Sequence, residues 1–441
     1  MRVLNLVVIL LVSLIFVSCE EKGDQTTNSG EQDLDCSPVG EALIFHSQLH
    51  LDGTWNKVMN PLSWNVWRLS PDGSEASPVT ENSNGQTARF PRVSSSGKYI
   101  IYYSNINLDG KVESPMGVAN LWVATRDGKK KWPITKNTVS TLGTFIGYIT
   151  PDDKNVVFQS NLNLSGKWDD IANTGANIWV IDREGKNPPR AVTQSSVAGV
   201  NSYVNAISSD GRSILVRSNL NLSGKFEDLP NLSYNIWSIG IDGSNLNSLT
   251  KNTKKLLDSS GGVYFPNGSR VAFISKTALT GIWDSTANPV WTIWTIALDG
   301  SDLKLVAGSA KMGFYFSAIS SDSSTIYGAS PRSFDGISAD LPSANIWAIK
   351  VDGSGMVPLT FNTKAKLNSY SPRLSPSGKE LIYISMNDLS GVWDGQSSAS
   401  FNIWRMNIDG SELVPLTQNS GGQIDANMDM PVEWAPSVKC K

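Results

Sequence analysis

One tripeptide constrains this chain more than anything else in it. Asn-Ile-Trp and its close variants place a tryptophan at Trp67, Trp122, Trp179, Trp237, Trp294, Trp347 and Trp404, with 53 to 58 residues between successive copies. A fixed period of this size marks a repeat architecture, in which each unit is a small element that buries its faces only by stacking on its neighbours. Seven copies therefore predict seven units. The same reading explains how 441 residues, 40% of them apolar and only 17% charged, avoid the limit on a single compact core.

The clearest unit runs from Tyr203 to Thr250. Residues 203–207 and 213–217 read as strands rich in apolar and β-branched residues, joined by a turn at Ser209-Asp210-Gly211-Arg212. After a long loop, 235–239 is a third strand, Asp242-Gly243 a hairpin turn and 247–250 a fourth strand. The hairpin recurs at Asp72-Gly73, Asp127-Gly128, Asp299-Gly300, Asp352-Gly353 and Asp409-Gly410, and Glu184-Gly185 keeps the glycine. Seven four-stranded antiparallel units with no helical pattern between them predict an all-β, seven-bladed β-propeller. The ends complete one blade: residues 42–46 match a second strand and residues 430–436 a first strand, so the first blade is composite and closed by the C-terminal strand.

The leader sorts the chain by compartment. A basic start at Arg2 and an apolar run ending at Val17 form a secretory signal, too short to span a bilayer. Its end, Phe16-Val17-Ser18-Cys19, resembles a bacterial lipobox, which makes Cys19 the lipidated mature N-terminus. Residues 1–18 are then signal peptide, 19–40 a lipid-anchored flexible linker of polar residues, and 41–440 the propeller. The expected location is the cell envelope, at the outer membrane, on its periplasmic or surface side. Cys36 and Cys440 flank the composite blade where other blades have a hairpin, and export permits a disulfide between them.

The repeat unit at residues 375–410, with Ser375-Pro376-Ser377-Gly378-Lys379, the strand 380–385, Asn402-Ile403-Trp404 and Asp409-Gly410, resembles the TolB-type propeller repeat. The likeness extends over 41–437, through Ser94-Ser95-Ser96-Gly97-Lys98 and weaker versions. It implies a propeller fold and one of several roles, since such propellers serve as protein-binding modules, as gates of serine peptidases and in a few cases as lyases. TolB carries a separate α/β domain where this chain has only the polar stretch 20–34, so its envelope-translocation role is not implied.

The sequence also points to where binding sits. Tight turns join first to second and third to fourth strands on one face; long insertions between second and third strands gather on the other. Two insertions share a pattern, Asn161-Leu162-Asn163-Leu164-Ser165-Gly166-Lys167-Trp168-Asp169 and Asn219 through Glu227, which resembles a calcium loop but offers mostly neutral oxygens. The alternative is that Asn and Ser cap turns through bonds to the backbone. The aromatic positions of these loops, Trp55, Trp168, Phe226, Trp283 and Trp393, are the candidate binding-face residues, able to stack on a glycan or anchor a protein, or to pack beneath their own loops. Two histidines, His46 and His50, three cysteines and the absence of a Gly-x-Ser-x-Gly elbow leave no triad and no typical zinc set, so no catalytic residue, metal or cofactor is expected. A net charge of -3 without a basic block speaks against nucleic acid. The expectation is a non-enzymatic, monomeric, lipid-anchored scaffold for an envelope or surface protein; the alternative is a glycan-binding module or degenerate polysaccharide-active enzyme.

Overall fold

The computed structural model describes residues 40–57, 62–111, 118–138, 143–168, 170, 172–288, 290–308, 313–334, 341–420 and 432–438. Cys19, Cys36 and Cys440 lie outside the described residues. Every regular element among those described is a strand, and the strands form seven four-stranded antiparallel sheets. In blade 4 the strands are Ser202–Ile207, Ser213–Ser218, Asn235–Gly240 and Asn247–Ser248, within a residue or two of the sequence expectation. Blade 1 is composite: Glu433–Ala435 pairs with Ala42–Ser47, with Ala42 opposite Ala435 and Ile44 opposite Glu433.

Each seam between neighbouring blades holds its own apolar cluster. Between blades 2 and 3, for example, Ile101, Leu121, Val123 and Ile134 meet Ile149, Val156, Phe158 and Trp179. The repeated Trp always belongs to the seam with the preceding blade, and all seven are at most 3% exposed. Radiating sheets diverge outward, and a large flat side chain fills that divergence. The outer hairpins fasten the same seams from the rim. Gly73, Gly128 and Gly185 adopt positive φ, and a Cβ on them would meet the backbone of Leu416, Val79 and Ile134 on the preceding blade at 2.8 Å. Glycine is thus required twice, for the turn and for the close approach.

A buried polar knot fixes the third strand to the fourth. In blade 7, Asn402 Oδ1 accepts from Thr417 Oγ1 at 2.9 Å and from the Asn419 N–H at 2.8 Å, while its amide donates to the Asn419 carbonyl at 2.8 Å. Thr417 in turn accepts from the Ile403 N–H at 2.9 Å. The same set forms around Asn65, Asn120, Asn177, Asn235 and Asn345, with Thr80, Thr135, Thr193, Thr250 and Thr360. Blade 5 departs at both ends together: Thr292 stands where the others have Asn, and Ala307 where they have Thr.

The gap left by the missing hairpin of blade 1 is bridged by Arg126 of blade 2, which is 2% exposed. Its guanidinium donates to the carbonyls of Gly40 and Pro436 and, at 3.2 Å, to that of Ala435. One side chain therefore holds both ends of the propeller on the tight-turn face. Burial, and then the charge of Arg68, draw its pKa down to about 10, partly offset by Glu41. Inside the channel, Arg92 lies 3.3 Å from Glu433 and 4.3 Å over the Tyr148 ring, tying the closing strand to blades 2 and 3.

Two stability outcomes follow. Arg126→Ala strips three carbonyls of a charged donor and is expected to cost about 3 kcal/mol in denaturant unfolding. Asn345→Ala, which opens one knot, is expected to cost about 2 kcal/mol, measured the same way, because the Thr360 and Asn362 groups lose their buried partner.

Candidate functional site

The first strands of the blades line the axis and begin on the face that carries the long loops. The loop-side mouth of the channel is therefore built by the starts of first strands, the ends of second strands and the residues just before third strands. A bulge interrupts the pairing of every complete first strand, between Arg89 and Arg92 in blade 2 and between Tyr370 and Arg373 in blade 7. In both, a proline sits in the bulge and the residue before it takes positive φ, 56° at Phe90 and 52° at Ser371. Proline cannot donate to the ladder, and the bulge re-aims its neighbours.

Aromatic rings gather at this mouth, several of them with a cation against the ring face. Between blades 1 and 2 the His46 ring lies 5.3 Å from Trp64 and 5.5 Å from Phe90, and the Arg89 guanidinium stands 4.5 Å over Trp64. In blade 4, Arg217 stacks 4.0 Å over Tyr234 and 5.7 Å from Tyr203. In blade 5 the Lys276 ammonium is 5.3 Å from the Trp291 ring, and in blade 7 Tyr370 packs on Phe401 at 6.3 Å. Such pairs hold a cation against a ring face without neutralising its charge. The sequence carried a signal for them: Trp64, Tyr234, Trp291 and Phe401 all directly precede the third-strand motif, and Arg89, Tyr203, Tyr315 and Tyr370 share one first-strand position.

The loop aromatics lie outside this mouth, each in a different insertion. Trp55, Trp168, Phe226 and Trp283 are half-buried and pack against the apolar clusters of the seams between blades 7 and 1, 2 and 3, 3 and 4, and 4 and 5. Trp393, also half-buried, meets Phe361 edge-on at 5.9 Å. They are spread around the wheel and form no common platform.

The Asn/Ser loops form backbone-capping turns. In blade 3, Asn163 Oδ1 accepts from the Ser165 N–H at 3.0 Å and the Gly166 N–H bonds the Asn163 carbonyl at 2.8 Å. Blade 4 repeats this with Asn221, Ser223 and Gly224. Loops then divide into two kinds. Those of blades 3 and 4 close on themselves, Ser165 and Ser223 donating to Asp170 and Asp228. Those of blades 5 and 7 stitch to the preceding blade: Asp284 accepts from the N–H groups of Thr253 and Lys254 and from the Thr253 hydroxyl, and Asp394 does the same with Thr363 and Lys364. These hydrogen bonds hold both carboxyls below the usual range despite the opposing effect of burial, the largest single influence.

The two histidines occupy different settings. His50 Nδ1 lies 3.0 Å from Asp52 in the first loop. His46 is 3% exposed, its Nε2 has no hydrogen-bond partner, and burial followed by the Arg89 charge pulls its pKa down to about 3.

With this geometry in hand, comparison with known proteins bears on the fold. No protein-family description and no curated protein matches the chain. Among solved structures, a prolyl endopeptidase superposes with a TM-score of 0.57 at 9% identity, over 86% of this chain and 49% of that one. The β-propeller domain of the Trilobed protease from Pyrococcus furiosus gives 0.53 at 12% identity, over 88% and 96%. A TolB from Acinetobacter baumannii gives 0.43 at 14% identity, over 80% and 82%. At these identities the shared property is the propeller. The Pyrococcus domain is described as having an open velcro topology, whereas here the first and last strands pair.

The buried histidine makes stability depend on pH. In the unfolded chain His46 takes up a proton near its ordinary pKa of 6.5, while in the fold it does so only near 3. The unfolded state therefore binds more protons in that window, and stability falls as pH is lowered from about 6.5 toward 3. His46→Phe is expected to flatten this part of the curve, read from melting temperatures at stepped pH.

Proposed function

We propose that this protein is a non-enzymatic propeller of the bacterial envelope, anchored by lipid on Cys19, that docks another envelope or surface protein on its loop face. The observation that carries this reading is the distribution of exposed large apolar side chains. Among the described residues, all except Leu298, Val357 and Ile408 lie on the loop face, in the insertions, the inter-blade links or the channel rim. The most exposed, Leu229 at 77% and Leu232 at 70%, come from the blade 4 loop, and Ile282 at 62% comes from that of blade 5. Clustered apolar side chains on a rigid frame are the usual mark of a protein-docking surface.

Three further features support it. The chain enters the propeller at Gly40 on the tight-turn face, so an anchor preceding it leaves from the side opposite the loops and presents the loop face away from the lipid. The loop tryptophans turn into the seams, which removes the open flat rings that a glycan site requires and favours a protein partner. His46 is sealed behind Trp64 and Phe90, out of reach of a substrate, and is not set as a general base.

The test is capture from detergent-solubilised envelope with immobilised protein. Leu229→Asp combined with Ile282→Asp is expected to reduce recovery of a specific partner by about tenfold while leaving the melting temperature in place. Unchanged recovery, or retention of polysaccharide in place of protein, would count against the reading.

A further inference from the structure

The mouth and the apolar rim meet in one sector. On the loop face of blades 4 and 5, the exposed Leu229, Leu232 and Ile282 of the insertions and Leu256 of the link share a sector with two cation and ring sites of the mouth, Arg217 with Tyr234 and Lys276 with Trp291. The charges here are unbalanced. Among the described residues the Arg217 side chain makes no hydrogen bond or ion pair, and its Nε is buried without a partner. Among the described residues Lys276 Nζ meets the Trp291 ring and no hydrogen-bond or ion-pair partner, and Lys251 and Lys255 stand exposed on the link between the blades. The carboxylates of the sector keep their charge but are held by neutral donors and not by Arg217 or Lys276: Asp284 by the Thr253 and Lys254 N–H groups, Asp228 by the Ser223 hydroxyl, and Asp258 by the Tyr234 N–H at 2.8 Å. Glu227 is the exception and lies exposed on the outer loop.

We propose that this sector binds an extended acidic segment of the partner protein, with apolar side chains on Leu229, Leu232, Leu256 and Ile282 and carboxylates on Arg217 and Lys276. The inference rests on the docking reading above and adds the chemistry of the partner. A guanidinium stacked on a ring is held in place and partly desolvated, which strengthens its bonds to a carboxylate. The same stacking covers one face of Tyr234 and of Trp291, leaving less ring for a sugar to lie on, and the anchor's exit on the opposite face removes lipid headgroups as the natural occupant. A peptide that alternates acidic and apolar residues satisfies both parts of the surface.

Fluorescence anisotropy with the full propeller provides the test. The probes are a labelled peptide of alternating Glu and Leu, its Gln/Leu and Lys/Leu counterparts, oligogalacturonate, and vesicles of anionic phospholipid. The Glu/Leu peptide is expected to bind, and to weaken with added salt. Its Gln/Leu counterpart and the Arg217→Gln protein should each bind about tenfold more weakly, the loss of one charge-assisted contact. Lys276→Gln, a more peripheral change, repeats the test should Arg217→Gln lower the melting temperature. Equal binding of the Gln/Leu or Lys/Leu peptide, indifference to both substitutions, or preference for oligogalacturonate or vesicles overturns the inference. Envelope capture separates the two claims: dependence on Leu229 and Ile282 but not on Arg217 and Lys276 leaves docking standing and removes the acidic segment.

Discussion

A four-stranded sheet with two apolar faces has to be covered on both sides, and everything in this molecule answers to that requirement. Stacking seven such sheets around an axis solves it only if the gaps that widen toward the rim are filled. The repeated tryptophans fill them from the inside, each turned toward the blade before it. The outer hairpins close them from the rim, where Gly73 and its equivalents let one backbone touch the next. Because each seam is local, ring closure is what joins distant parts of the sequence, through the pairing of the first and last strands, the apolar seam between blades 7 and 1, the Arg92–Glu433 pair and the bonds of Arg126 to both ends.

The polar knots serve a different purpose from the apolar seams. Hydrophobic contacts tolerate sliding, but an Asn that satisfies a hydroxyl, an N–H and a carbonyl at once fixes how third and fourth strands align. The knots also sit at the loop end of the blades, so they set the platform from which the insertions rise. In blades 5 and 7 the insertion reaches back to the segment just past the preceding knot through Asp284 and Asp394. The loop face is therefore a fastened surface, suited to presenting fixed side chains.

Much of the fold could be read from the chain because it depends on period and turn chemistry. The spacing of Trp67 to Trp404, the glycines of the outer hairpins and the match between residues 42–46 and the C-terminal segment each encode one geometric fact, repeated or paired. The site was less legible. In six blades a Thr preceded by Leu, Val or Ile stands 15 or 16 residues after the Asn of the tryptophan motif and could have revealed the knots, yet neither half looks unusual alone. The mouth residues Arg217, Tyr203 and Tyr234 lie far apart in the chain and meet through strand pairing, Tyr203 opposite Arg217 and Tyr234 just ahead of the third strand. The loop aromatics drew attention by their pattern, while burial against the seams depends on tertiary packing that no local pattern records. Arg126 resembles any turn residue until the missing hairpin of blade 1 places three carbonyls before it.

Blade 5 lacks the knot that its six companions share, with Thr292 and Ala307 substituted together. Thr292 makes other buried bonds instead, donating to the Ser275 carbonyl at 2.9 Å and accepting from the Trp294 indole N–H at 2.7 Å. Its fourth strand, Lys304–Ala307, pairs over four residues where blades 3, 4 and 7 have two, so longer backbone pairing takes over the alignment that the knot supplies elsewhere, at the blade that carries Ile282.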